Sequence, residues 1–172
     1  MRLLLVLPAA ACGGRTAEVS IPIDLLTELP RAERRASGIV DQAVRVDLVG
    51  VAGDVEPALV MEAPARVIYS LKMPGAARLR SGVAVTASAA TAANGVQIRV
   101  GVSDDRFYDE LLRMRLASAH PWTPIDVDLS RYSGWKWSLF YQPGRQTWKL
   151  ILNADVMAGG AAAWARPVIE MR

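Results

Sequence analysis

From residue 42 onward the chain alternates apolar and polar residues with a period of two, broken at short intervals by glycine, proline and asparagine. Val44, Val46 and Leu48 alternate with Arg45, Asp47 and Val49 and stop at Gly50 and Gly53, as a half-buried strand does. Runs at 58–62, 66–73 and 79–85 follow, the middle one ended by Pro74 and Gly75. Val96, Ile98, Val100 and Val102 alternate with Gln97, Arg99 and Gly101 in the clearest strand, which lies between Asn94-Gly95 and the turn Ser103-Asp104-Asp105. Residues 107–117 fit two periods. Phe107, Leu111, Leu112 and Met114 suit a helix, whereas Leu112, Met114 and Leu116 suit a strand, and the flanking strands favour the second reading. Runs at 123–129, 136–141, 147–152 and 163–171 complete the set, separated by Ser133-Gly134, Pro143-Gly144 and Gly159-Gly160. Between Ile23 and Arg35 the spacing is different: Leu25, Leu26 and Leu29 sit at helical intervals behind Asp24 and are interrupted by Pro30. One short helical turn on the domain surface is predicted there. The whole predicts an all-β fold, a sandwich or barrel of eight to ten antiparallel strands with one short N-terminal helical segment. No fixed repeat period points to a solenoid or propeller.

Composition narrows this to one globular domain. The chain has 172 residues, 52% of them hydrophobic and 22% charged, enough to bury about 70% of its unfolded surface in a single core. The formal charge of +3 is mild, and the tightest basic cluster, Arg31, Arg34 and Arg35, is interleaved with Glu28 and Glu33. That is a solvated face rather than a basic stripe, so no nucleic-acid partner is expected.

The first residues follow a different logic. Arg2 precedes the apolar stretch from Leu3 to Leu7, and Ala9, Ala10 and Ala11 precede Cys12, the only cysteine. The stretch is far below the roughly 20 residues that cross a bilayer, and the layout is that of a secretion signal with a small-residue cleavage site. It resembles a bacterial lipoprotein signal. The resemblance implies removal of residues 1–11, lipid on Cys12, a tether over 12–22 and one domain over 23–172, exported and held at a membrane surface of the cell envelope. With Cys12 lipidated no thiol remains for a disulfide, and stability must come from packing.

Catalytic chemistry finds little support. His120 is the only histidine, and the chain carries no Gly-x-Ser-x-Gly elbow, no His-x-x-x-His pair and no Cys-x-x-Cys pair. No catalytic residue, metal site or cofactor is expected. Asp104, Asp105 and Asp109 could lend oxygens to a structural calcium ion, but their spacing lacks the glycine and terminal glutamate of a calcium loop, and turn chemistry accounts for the first two. Asp126 and Asp128 share a strand face without forming a carboxylate pair that chemistry singles out. The aromatic residues are more suggestive. Trp135, Trp137 and Tyr141 share one face at period two, with Trp122 and Trp148 near in sequence. Trp137, between Lys136 and Ser138, reads as a core residue, while Trp135, Tyr141 and Trp148 lie beside turns, where binding residues gather.

Three phrases of the second half, Val96-Gln97-Ile98-Arg99-Val100-Gly101-Val102, then 122–134 with Asp128-Leu129-Ser130-Arg131-Tyr132, then Ala163-Trp164-Ala165-Arg166-Pro167-Val168-Ile169, resemble the jelly-roll module related to galactose-binding-like and carbohydrate-binding domains of bacterial secreted proteins. The resemblance spans about residues 40–171 and implies a jelly-roll β-sandwich. In such a fold Asp128 and Ser130 satisfy free backbone groups at a corner, Tyr132 fills the corner, and Trp164 lies on the closing strand. One departure is Asp155, displaced upstream of the polar loop that precedes the closing tryptophan. The function implied is binding without transformation, with carbohydrate as the ligand class. Trp135, Tyr141 and Trp148 would stack on sugar rings, and Arg145 and Gln146 would donate hydrogen bonds from the loop at 143–146. The alternative is an envelope scaffold or protein-interaction module with no sugar site. No oligomeric state follows from the sequence.

Overall fold

The computed structural model describes residues 22–73, 76–86, 95–117, 121–132, 147–156 and 160–171. Among them run eleven strands: β1 Ile23–Asp24, β2 Glu33–Ala36, β3 Val44–Val51, β4 Asp54–Glu62, β5 Ala65–Leu71, β6 Ala77–Val85, β7 Val96–Ser103, β8 Tyr108–Leu116, β9 Thr123–Asp128, β10 Trp148–Val156 and β11 Ala161–Met171. The described α-helices are short, α1 Leu25–Glu28 and α2 Val40–Ala43, and single 3-10 turns span Leu29–Arg31 and Ser130–Tyr132. The strands predicted from alternation are present, including the ambiguous stretch after residue 107. The run at 136–141 and the loop expected at 88–94 lie outside the described residues.

Two antiparallel sheets face each other. One has the order β3-β4-β11-β6-β9, with β1 added to β11; the other has the order β2-β5-β10-β7-β8. Within them β4-β11-β6-β9 and β5-β10-β7-β8 form two four-stranded halves in which β7 to β8 is the one successive pair from β4 to β11 sharing a sheet. Every other step crosses the sandwich. This is a jelly roll, as the resemblance implied.

Alternation places one set of side chains from each sheet in a common core. Val67, Tyr69 and Leu71, Ile98, Val100 and Val102, and Leu150, Leu152 and Ala154 come from the five-stranded sheet. Leu59, Met61, Leu79, Val83, Ile125, Ala162 and Trp164 meet them from the other. Trp164 is fully buried, so the closing tryptophan is a core residue.

Two expectations are corrected. The N-terminal helical segment is not a surface decoration: Leu25 and Leu29 belong to the main core. Asp24 caps α1 by accepting a hydrogen bond from the Leu26 N–H at 2.8 Å, and β1 pairs Ile23 with Ile169. The turn is therefore locked to the closing strand at one end and plugs the sandwich with its leucines. The chain after it returns to strand, β2 pairing Glu33 with Ile68 and Arg35 with Arg66. In β3 the exposed positions differ from the simple alternation. Val46 and Leu48, 71% exposed in the second case, project from the outermost strand of their sheet, which pairs with β4. Val49 and Val51 point the opposite way and are buried in a second apolar cluster with Ala58, Val60, Ala84, Ala161 and Ala163, against which Trp122 packs.

Candidate functional site

The outer face of the five-stranded sheet is built from the residues that alternate with the core. Cross-strand register arranges them in rows, because directly paired residues of neighbouring strands point to the same side. One row runs Ile68, Ile151, Gly101, Glu110. The next runs Arg35, Arg66, Asn153, Arg99, Arg113 across all five strands. With Glu33 paired to Ile68, an apolar centre of Ile68, Ile151 and Gly101 thus lies between two glutamates and beside a row of four arginines and one amide.

Tyr108 sits at the corner of this face, paired with Ser103. Its ring lies over Gly101: a Cβ at position 101 would stand 2.3 Å from the Cε2 atom and 2.4 Å from Cζ and Oη of that ring. The glycine interrupts the strand's side chains and leaves the space that the ring occupies, a recognised reason for glycine within a strand. The residue is 45% exposed, so the side chain meets the sheet at its far end and keeps surface open to solvent. Burial of that ring raises the Tyr108 phenol above its ordinary value, Arg99 opposing and Glu110 adding to the effect.

The turn between β7 and β8 fixes this placement. The Asp104 carboxylate accepts the N–H groups of Arg106 and Phe107 at 2.9 and 3.1 Å. Ser103 Oγ accepts the Asp105 N–H at 3.1 Å and donates to the Phe107 carbonyl at 2.7 Å. Asp105 has φ of 75°, a conformation aspartate tolerates in turns. Beyond the turn a β-bulge intervenes: Gly101 pairs Glu110 but Val100 pairs Leu112, leaving Leu111 as the extra residue. The bulge resets the alternation, so Glu110 and Arg113, three apart, both point outward. There Arg113 donates to both Glu110 oxygens, at 2.8 and 3.0 Å.

A polar network covers the rest of the face. Arg99 donates to both oxygens of Asp155, at 2.6 and 3.0 Å, and lies 3.5 Å from Glu110. Asn153 is only 2% exposed and accepts a 2.7 Å hydrogen bond from Arg66 Nε. Arg35 donates to Glu33 at 2.6 Å. The Glu110 carboxyl is held below its usual range by the Arg113 hydrogen bond, and the Arg99 guanidinium is raised by its hydrogen bond to Asp155. Arg35, Ser37, Pro64, Arg66, Asn153 and Asp155 line a groove of about 270 Å3 at one end of the face. The surface therefore offers an aromatic ring and hydrogen-bonding groups held in place by their neighbours, the combination a polar ligand with apolar faces requires.

Of the ligand residues predicted from sequence, Trp135, Tyr141, Arg145 and Gln146 lie outside the described residues. Trp148 opens β10 at the same end of the sheet as Tyr108. It is half-buried and packed edge-on between Tyr132 and Phe107, with ring centroids 5.1 and 6.0 Å away. Trp122 stands on the other sheet. The Tyr132 corner is as the resemblance implied. Tyr132 is buried and its hydroxyl donates to Asp109 at 2.5 Å, burial and that bond pushing the phenol up to about 12. Asp128 accepts the Ser130 N–H at 2.8 Å.

The carboxylates considered for calcium each face protein donors: Asp104 the turn amides, Asp105 the Lys149 ammonium, Asp109 the Arg131 guanidinium and Tyr132. No group of three or more potential ligands placed to hold a metal occurs among the described residues. Asp126 is an ion-pair partner of Arg78 at 2.6 Å, whose hydrogen bond lowers its pKa. Sequence reasoning passed over Tyr108, Arg66, Arg99, Glu110, Arg113 and Asn153. The one available signal was Gly101, a glycine in the middle of the clearest strand.

No family model matches the sequence, and no curated protein matches it either. Solved structures do match. TmCBM61, a carbohydrate-binding module solved with β-1,4-galactotriose, aligns with a TM-score of 0.57 and 13% identity over 87% of this chain and 94% of that one. The tandem CBM51 modules of the family 98 glycoside hydrolase from Streptococcus pneumoniae align with a TM-score of 0.53 and 12% identity, over 88% of this chain and 47% of that one. A cleaved adhesin domain of the Lys-gingipain of Porphyromonas gingivalis aligns with a TM-score of 0.55 and 14% identity, over 88% and 98%. At such identities the likeness is one of fold, and a fold carries several functions.

Proposed function

We propose that the protein is a non-catalytic carbohydrate-binding module and that its site is the outer face of the five-stranded sheet. The carrying observation is the far end of the Tyr108 ring seated over Gly101, on the sheet face that also carries Asn153, Arg66 and Arg99. The apolar face of a pyranose packs on such a ring while its hydroxyls meet amide and guanidinium groups that the sheet holds in fixed positions. Fold likeness to modules solved with sugars supports the reading. Phe107, 48% exposed, extends the aromatic corner toward Trp148. Trp135, Tyr141, Arg145 and Gln146, between the corner residue Tyr132 and Trp148 in sequence, remain part of the proposal as further ligand contacts.

A glycan array probed with the protein and with Tyr108→Ala tests this. Selective binding that weakens about tenfold or more in the variant is expected, the loss of one ring contact being of that order. Unchanged binding in Tyr108→Ala would move the site off this face.

The module is further proposed to be exported and anchored through lipid on Cys12. The support is the leader-like layout of residues 1–12. Labelled fatty acid should enter the protein made in a bacterial host and should not enter Cys12→Ser; labelling of both would contradict the assignment.

A further inference from the structure

The row of arginines is unevenly neutralised. Arg35, Arg66, Arg99 and Arg113 stand on four different strands in register with Asn153. Neighbouring strands lie about 4.8 Å apart, so like charges in one row repel unless countered. Three carboxylates counter three of them: Glu33 pairs Arg35, Asp155 pairs Arg99, and Glu110 pairs Arg113. Arg66 differs. Its partner among the described residues is the neutral amide of Asn153, which engages Nε. The residue is exposed and lines the groove. Asn153 is buried and holds the guanidinium at Nε, and no hydrogen bond from the two Nη atoms occurs among the described residues. Asp155 stands nearby, but Arg99 occupies both of its oxygens.

We infer that Arg66 receives the carboxylate of an acidic sugar, so that the ligand class is a uronate-bearing glycan. This inference rests on the carbohydrate reading above and deepens it. A guanidinium presents donors in a planar fork that matches a carboxylate, and such charge-assisted bonds are about twice as strong as neutral ones. Fixing Nε on Asn153 orients the fork before the ligand arrives, and reduces the ordering cost of binding. A pyranose stacked on Tyr108 and continuing along the arginine row would carry a carboxylate past Arg66.

The test is a binding array of galacturonate, glucuronate, mannuronate and guluronate oligomers, each beside its methyl ester, with neutral and sulfated sugars on the same surface. The ester keeps the ring and removes the charge. At least one uronate should bind about tenfold or more tighter than its ester. Arg66→Gln should bring the two to near equality, Arg66→Lys should keep part of the preference, and Arg45→Gln, on the other sheet, should keep all of it. Thermal unfolding of each variant checks that the fold is intact. Binding of neutral sugars with no preference for acid over ester overturns the inference and leaves the carbohydrate reading standing. So does an acid preference that survives Arg66→Gln. Preference for sulfated sugars overturns the uronate assignment. A folded protein that binds no glycan overturns both.

Discussion

Gly101 and Tyr108 share one volume, and a single methyl group separates their roles. Alanine at 101 would collide with the far end of the tyrosine ring. That end belongs to a half-exposed side chain that can swing outward, and alanine is better than glycine in a strand by about 0.5–1 kcal/mol. Gly101→Ala is therefore expected to change stability by less than about 1 kcal/mol in urea unfolding while reducing glycan binding about tenfold. A large loss of stability would show that the ring cannot move. Tyr69 poses the opposite case. It is buried, its hydroxyl has no hydrogen-bond partner among the described residues, and burial holds its pKa far above the usual value. An unpartnered buried polar group costs about 1–3 kcal/mol. Tyr69→Phe should consequently leave the unfolding free energy unchanged or raise it; a loss above about 1 kcal/mol would reveal a partner for the hydroxyl.

Among the elements, α1 has an effect out of proportion to its four residues. Leu25 is fully buried within the main core, so Leu25→Ala should cost about 2–5 kcal/mol in chemical denaturation. A surface turn would lose less than about 0.5 kcal/mol, and that result would remove α1 from the core. The alternation that predicted the strands was legible where a strand has a wet face and a dry one, as in β7 up to Gly101, whereas in β5 and β10 Ile68 and Ile151 are buried on the outer face and interrupt it. It blurred in β8 for a physical reason. The bulge at Leu111 places Leu111 and Leu112 side by side in sequence, which imitates helical spacing. The site was less legible than the sheets. Arg35, Arg66, Arg99 and Arg113 meet only after strand order and register are known, and each looks like an ordinary solvated charge on its own strand. Gly101 was visible, but a glycine does not announce which ring will cover it. Aromatic spacing directed attention to Trp135, Tyr141 and Trp148; of these the described structure includes Trp148, wedged edge-on between two rings.

At the scale of the molecule, the surface is laced by ion pairs that bridge neighbouring strands, Arg78 with Asp126, Arg80 with Glu170 and Arg99 with Asp155. The carboxyls of Asp126 and Glu110 are held below their usual values, by hydrogen bonds from Arg78 and Arg113 respectively. A folded pKa below the unfolded one, near 3.9 for Asp and 4.3 for Glu, contributes stability that is fully present above the unfolded value and lost as pH falls through the folded one. Thermal unfolding temperature should thus hold steady from about pH 7 to 5 and decline below about pH 4. A rise on acidification would contradict these pairings. The central claim, that one sheet face is the binding surface, is tested most directly by titrating the isotopically labelled protein with the strongest array ligand and following backbone amide shifts. Shifts concentrated on Arg66, Gly101, Tyr108 and Asn153 are expected. Shifts confined to the six-stranded sheet, or to β3 and β4, would contradict the account.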